Sequence, residues 1–490
     1  MLEPLEEAGS SAGAVYQHRL GTSVQEDSIA FRVDETDNIR LTLLAGPHFL
    51  FVLVYRFLDP KTRDVYLLPF NAASPSKPIL AGLEYTFVPR FTGEQIFVLT
   101  NQNAPNYRIA ELHLQPDGTH ELIEVVPERD AMIRQWSLHR AYIVVCYLLG
   151  TTFKIVIFDF SGTELGEIPL GQGETVRLLP GDSQSDEVLW ETESFTQSSS
   201  IHRYSIATGT LNPFFEARIQ LDSVLYTHKQ ICYDSKDGTA VSMFLVGRRD
   251  VLERTHNPAV LISYGGFRRA MTPQFTAFAA FLMEHGCVFA FPNIRGGAEF
   301  GAEWYEAARR RNRQIAFDDF LSAAEWLIKS TLVAPDKLSI LGGSNSGLLV
   351  GVALTQAPTV FRAVICMAPL LDMLRYHLFD GAVKWREEFG TSDNPHDFHV
   401  LQSYSPYHNV SSNTTYPAVM MISGDSDQNC NPLHARKMVA RLQSANDCRH
   451  PIILDYNEKR GHVPVLPLST RINALTDRIA FLCDQLELKV

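Results

Sequence analysis

Between Ala14 and Glu216 the chain runs in short apolar stretches separated by turn signals. Stretches such as "TFKIVIFDF" and "QIFVLTN" alternate apolar and polar positions, the period of half-buried antiparallel strands, and "QPDGTH", "DFSGTE" and "IATGTL" supply turn chemistry between them. No amphipathic helical pattern interrupts these runs, so this half reads as an all-β domain: a sandwich, a barrel or a propeller. No strict internal repeat chooses among the three.

After about Leu221 the pattern changes. Continuous apolar runs, "PAVLISY", "CVFAFPN", "KLSILGG", "RAVICMAP", "PAVMMISGD" and "HPIILDY", alternate with helical segments. In "AFDDFLSAAEWLIKSTL" the residues Phe317, Phe320, Leu321, Ala324 and Leu327 recur on one helical face. Apolar strands separated by helices predict a mostly parallel, doubly wound sheet covered on both faces. The expected division is 1–218 for the all-β domain and 219–490 for the α/β domain.

Composition narrows the function classes. With 45% hydrophobic and 20% charged residues the chain is an ordinary globular protein with enough apolar matter for large cores. A formal charge of -12 repels nucleic-acid phosphates, so no nucleic-acid partner is expected. The one dense basic run, "RRRNR" at Arg309 to Arg313, lies between helical segments and is expected to be a solvated helix end. Seven scattered cysteines, with no CxxC pair and no histidine at metal spacing, suit reduced, mostly buried thiols and imply no metal site. The acidic start "MLEPLEEAGSSAG" lacks the basic and apolar regions of a signal peptide, and no apolar run approaches a membrane span. A cytoplasmic location without membrane partners is expected, and the N-x-[ST] matches at Asn409 and Asn413 are taken as chance.

The candidate chemistry centres on "LGGSNSGLLV", Leu341 to Val350. A serine between a strand and a helix, crowded by small residues, matches the G-x-S-x-G turn that exposes a nucleophilic hydroxyl and offers the next backbone N–H to an oxyanion. Gly342 and Ser344 fit that form, whereas Ser346 stands where glycine is usual and is expected to be tolerated at a modest geometric cost. A serine needs a base, and the base needs an orienting group. In chain order, "AVMMISGDSDQNCNP" offers Asp425 and Asp427 after one strand, and "ILDYNEKRGHVP" offers His462 after the last. Spacing alone leaves the two aspartates open. His408 and His434 fit a structural turn and a helix start instead.

Taken together, "SYGGFRRAMTPQF", "FPNIRGGAEFG", "FDDFLSAAEWLI", "LGGSNSGLLV", "YSPYHNV" and "RGH" closely resemble the catalytic domain of the prolyl oligopeptidase family. The resemblance covers essentially the whole α/β half, and "VYQHRLGT" and "NAPNYRI" resemble the later part of that family's propeller. It implies an α/β-hydrolase domain preceded by an incomplete β-propeller of later blades only, and the chain is expected to start partway through the propeller. Roughly two hundred residues before the catalytic half leave room for about four blades at some forty to fifty residues each.

Position by position, the resemblance implies Ser344 as nucleophile, His462 as general base and then acid, Asp427 as orienting carboxylate, and Asp425 as its structural neighbour. It implies Tyr264 and the backbone N–H of Asn345 as oxyanion donors, and Trp385 and Phe267 as an aromatic slot for a substrate proline. A proline ring is apolar and has no N–H, so aromatic walls take it without stranding a buried donor. Asn429 replaces an arginine that holds the peptide carbonyl beside the proline, which predicts weaker binding because the amide brings no charge. The implied activity is a serine endopeptidase cleaving short peptides on the carboxyl side of proline without a cofactor. The competing expectations are an esterase or aminopeptidase-like hydrolase, and a truncated pseudoenzyme or interaction protein without turnover. An interrupted propeller would present an open sheet edge available for self-association and would filter substrates by size less strictly.

Overall fold

A computed structural model describes residues 13–33, 39–46, 48–57, 61–70, 77–93, 95–115, 120–216, 219, 221–222, 224–412, 414–445, 449–462 and 467–489. The turn expected at "QPDGTH" includes 116–119, the acidic start includes 1–12, and Asn413 stands alone; all lie outside the described residues. Asn409, the other N-x-[ST] match, spends its amide on the carbonyls of Gln402 and Ser405 at 2.8 and 2.9 Å.

The alternating stretches form strands as expected. Among the described residues, a hairpin of Ala14–Gln17 and Ser28–Arg32 is followed by four sheets of four strands each, every strand paired with its chain neighbour. They comprise Ile39–Ala45 to Leu80–Leu83, Phe87–Thr92 to His120–Val126, Met132–His139 to Glu164–Ile168, and Thr175–Leu178 to Thr210–Phe215. Such antiparallel meanders are the unit of a propeller blade. Between the first two sheets, Phe51, Leu53, Val65, Phe87, Ile96 and Val98 share one buried core. Of the described residues, those up to Cys146, with Ile155–Ile168 and Pro180–Val188, form one compact unit, and those of Tyr147–Lys154, Pro169–Leu179 and from Leu189 onwards form the other. The boundary expected at 218/219 falls where 217, 218, 220 and 223 lie outside the described residues.

The apolar runs of the second half build one eight-stranded sheet. Numbered along the chain, its strands stand in the order 1-2-4-3-5-6-7-8: Tyr226–Asp234, Ala240–Arg248, Val288–Pro292, Asn257–Leu261, Val333–Gly343, Ala363–Met367, Ala418–Ser423 and Ile452–Tyr456. The first two pair antiparallel, and the second also meets its neighbour antiparallel; every later pair is parallel. Because successive side chains point to opposite faces, each central strand feeds two cores. Ala259, Leu261, Val364, Cys366, Val419 and Met421 pack on one side with helices Gln314–Lys329, Asn345–Gln356 and Leu433–Ala445. Val260, Ala363, Ile365, Ala418 and Met420 pack on the other with Ala277–Glu284 and Leu468–Leu486. The helical face read from sequence is the buried one: Phe317, Phe320, Ala324 and Leu327 are buried, and Leu321 packs partly against the same core.

Of the described cysteines, Cys146, Cys287, Cys366 and Cys430 are buried, Cys483 is half-buried, Cys232 is exposed, and all are free thiols. Among the described residues no helix is long and apolar enough to cross a membrane.

Candidate active site

Strand Val333–Gly343 passes into helix Asn345–Gln356 through the single residue Ser344, at φ 58° and ψ -122°. A side-chain-bearing residue reaches that region only at a cost of about 1–3 kcal/mol. The turn is clamped: Ser344 N–H donates to Met367 O at 2.9 Å, and Ser344 O accepts from Leu348 N–H at 3.2 Å. The crowding explains the small residues. A Cβ on Gly342 would collide with the carbonyl of Ser346, and one on Gly347 would lie 2.9 Å from Pro369 Cβ. Ser346 is accommodated: it is buried, and its hydroxyl donates to Ser263 O across to the neighbouring strand's end. Its polar atom is therefore satisfied, and what was expected as a steric cost is also a tether between elbow and sheet.

Two loops bring the partners. Past strand Ala418–Ser423 the chain turns so that buried Asp427 accepts the N–H groups of Asn429 and Cys430 at 2.9 and 2.8 Å through Oδ1. Past strand Ile452–Tyr456, His462 places Nδ1 3.1 and 3.0 Å from the two Asp427 oxygens and Nε2 3.1 Å from Ser344 Oγ. The alternatives left open by spacing separate here. Asp425 is exposed and accepts from the Tyr456 hydroxyl, away from the imidazole. Cys430, buried beside this group, has its thiol pushed up by burial and by the nearby Asp427 carboxylate.

Neither spare histidine joins this chain. His408 shares a hydrogen bond with Ser405 Oγ at 2.8 Å inside a short helical turn. His434, near the start of helix Leu433–Ala445, is buried and accepts the N–H of Asp372 at 3.1 Å on Nδ1. Burial pushes its imidazole down to about 4. The native ring thus stays neutral while the unfolded one protonates near its ordinary pKa of about 6.5. Stability from this site is complete above about 6.5 and is lost as pH falls towards 4, by at most ~3 kcal/mol. Asparagine at 434 can keep the acceptor without titrating. His434→Asn is expected to flatten the fall in melting temperature between pH 6.5 and 4.5, and parallel curves for variant and wild type would contradict this.

The loop after strand Asn257–Leu261 carries the remaining candidates. Tyr264 is half-buried, with the Arg269 guanidinium 4.6 Å from its ring centroid, and its carbonyl accepts Asn345 Nδ2 at 2.6 Å. The N–H of Asn345, first residue of its helix, has no partner within the helix and remains available to an anion. Phe267, 37% exposed, meets Trp385 edge-on at 6.4 Å between ring centroids and Phe389 at 5.7 Å. Phe389, which sequence reading did not name, is buried behind Phe267. Asn429 is half-buried, and its Oδ1 accepts from Lys384 Nζ at 3.3 Å.

The basic run corrects an expectation. Arg313 is not solvated: it is fully buried, pairs with buried Glu388 at 3.0 Å, and donates to Asn345 Oδ1 at 2.5 Å. Arg309 and Arg310 donate to Glu387 O, and Arg311 pairs with Asp397 at 2.8 Å.

Residues 273–489 match the prolyl oligopeptidase family, and residues 6–217 match the prolyl oligopeptidase N-terminal beta-propeller domain. A prolyl endopeptidase of Elizabethkingia miricola is 29% identical over 450 residues, covering 91% of this chain and 64% of the relative. A prolyl oligopeptidase of Omphalotus olearius is 32% identical over 493 residues, covering 96% and 65%. The chain therefore spans just under two thirds of the length of these curated relatives. A solved structure from a study of two prolyl endopeptidases superposes with a TM-score of 0.91 at 31% identity, covering 99% of this chain and 72% of that one.

Proposed function

The chain belongs to the prolyl oligopeptidase family, and from that membership and the geometry of its site we propose that it is a serine endopeptidase cleaving short peptides after proline. The observation that carries this reading is the continuous hydrogen-bonded line from Ser344 through His462 to Asp427 at a strained strand-to-helix corner. In this reading His462 Nε2 takes the proton from Ser344 Oγ as the oxygen attacks the carbonyl carbon of the proline itself. The negative oxygen of the tetrahedral intermediate is received by the N–H of Asn345 and the hydroxyl of Tyr264. Its collapse breaks the peptide bond, with His462 returning the proton to the leaving amine and the acyl group left as an ester on Ser344. Water, activated by the same imidazole, then releases the acid.

The edge-on rings of Phe267 and Trp385, with buried Phe389 backing Phe267, suit the proline ring, and Lys384 with Asn429 suits the acceptor oxygen of the preceding residue. Domains 1–218 and 219–490 are taken as the size filter and the peptidase. Comparison of short peptides differing only in proline or alanine before the scissile bond tests the reading. Proline is expected to be preferred, and Trp385→Ala to lower kcat/KM for the proline peptide roughly ten- to a hundredfold, the worth of one buried ring face. Equal cleavage of both peptides, or a Trp385→Ala variant with unchanged preference, would contradict it.

A further inference from the structure

Burying an arginine and a glutamate together returns little net stability, because desolvation of both charges offsets their attraction. Arg313 and Glu388, 0% and 3% exposed at their side chains, therefore need another reason to lie beneath the elbow. Their bonds supply one. Arg313 holds Asn345 Oδ1 at 2.5 Å while Asn345 Nδ2 holds Tyr264 O at 2.6 Å, so the Asn345 side chain is gripped at both ends. Glu388 Oε1 accepts the N–H of Phe267 at 2.9 Å, and Oε2 accepts the Tyr305 hydroxyl at 2.7 Å. Burial and the Glu388 carboxylate push the Tyr305 phenol up, so it stays a donor. The guanidinium also lies 5.3 Å from the Phe389 ring centroid. There is no slack: a Cβ on Gly266 would stand 2.8 Å from Arg313 Nη2 and Asn345 Nδ2 and 2.9 Å from Glu388 Oε1.

We propose that Arg313 and Glu388 are positioning residues of the oxyanion hole, aiming the backbone N–H of Asn345 and holding the Tyr264–Phe267 loop. This rests on the peptidase reading above. The pair acts through Asn345 and Phe267 without bonding to Ser344. A donor that matters only once charge has moved onto the substrate oxygen affects the transition state and not ground-state binding. Disturbing the Arg313 arm, which acts through Asn345, should thus lower kcat and leave KM in place, whereas loss of Glu388, which holds the Phe267 N–H of the proline slot, should lower kcat and also raise KM.

Two variants test this, Arg313→Lys and the apolar replacement Arg313→Met/Glu388→Leu, each read by melting temperature, by kcat and KM on a proline peptide, and by the rate of fluorophosphonate labelling. Lysine keeps a charge for Glu388 but cannot bond Asn345 with the same fork; kcat is expected to fall about tenfold with KM within about twofold. The double variant removes both charges but leaves the Phe267 N–H, the Tyr305 hydroxyl and Asn345 Oδ1 without their partners, so its melting temperature is expected to fall, and kcat to drop about a hundredfold. The labelling rate should fall by the same factors. A folded double variant with kcat within about threefold of wild type, or a rise in KM at constant kcat, would overturn the proposal. If the double variant fails to fold, Arg313→Lys decides by the same criteria. Because the probe needs Ser344 and the oxyanion donors but no proline, a wild type that labels yet spares proline peptides would refute the substrate reading while the labelling rates still decide this one.

Discussion

Ser344→Ala is expected to remove roughly 10⁴–10⁶-fold of kcat on proline peptides, and His462→Ala to remove a comparable amount, with the double variant scarcely worse than either. The reason is geometric. Ser344 Oγ and His462 Nε2 lie 3.1 Å apart and, in the proposed mechanism, share one proton transfer, so losing either partner would abolish the same event. The elbow is held by backbone bonds to Met367 and Leu348 that do not involve the hydroxyl, so the alanine variant should fold with wild-type stability. Steady-state kinetics on the two single variants and the double check this. Losses that add, or a Ser344→Ala variant retaining more than about a hundredth of wild-type kcat, would show that some other group carries the attack.

Asp427→Asn is expected to cost about 10⁴-fold in kcat with little change in KM. Asp427 Oδ1 already accepts two backbone N–H groups, from Asn429 and Cys430, and both oxygens face His462 Nδ1. An amide satisfies the backbone donors with its oxygen and turns its NH₂ towards the ring. Nδ1 must then accept, Nε2 carries the proton, and the imidazole cannot take one from Ser344. Asp425→Asn should change kcat less than about twofold, since that carboxylate faces Tyr456 and not His462. Similar losses in the two variants would contradict the assignment of Asp427.

Much of this was legible in the chain, and the failures have physical causes. The strand and helix periods, the elbow and the order serine, aspartate, histidine are local or follow from topology, and they lead to the observed sheet and hydrogen-bonded line. Choosing between Asp425 and Asp427 required the turn that folds Asn429 and Cys430 back onto one carboxylate, which spacing does not encode. Ser346 read as a steric matter because its acceptor, Ser263 O, belongs to a distant strand end.

Arg313 was missed for a different reason. A run of four arginines in five residues reads as solvent-facing because charged side chains are rarely buried unpaired, and its partner Glu388 is 75 residues away. A signal was nonetheless present: the buried face that includes Ala316, Phe317 and Phe320, continued one turn towards the N-terminus, falls on residue 313. Lys384 was overlooked beside Trp385 because only proximity in space shows that its ammonium reaches Asn429.

The most direct test of the central claim is labelling of the purified chain with a fluorophosphonate probe, beside Ser344→Ala, with and without a competing proline peptide. The expected result is labelling at a single residue, slowed by the peptide and absent from the alanine variant. A folded wild-type protein that does not label, or labelling that persists when Ser344 is gone, would contradict the assignment of this elbow as the seat of the chemistry.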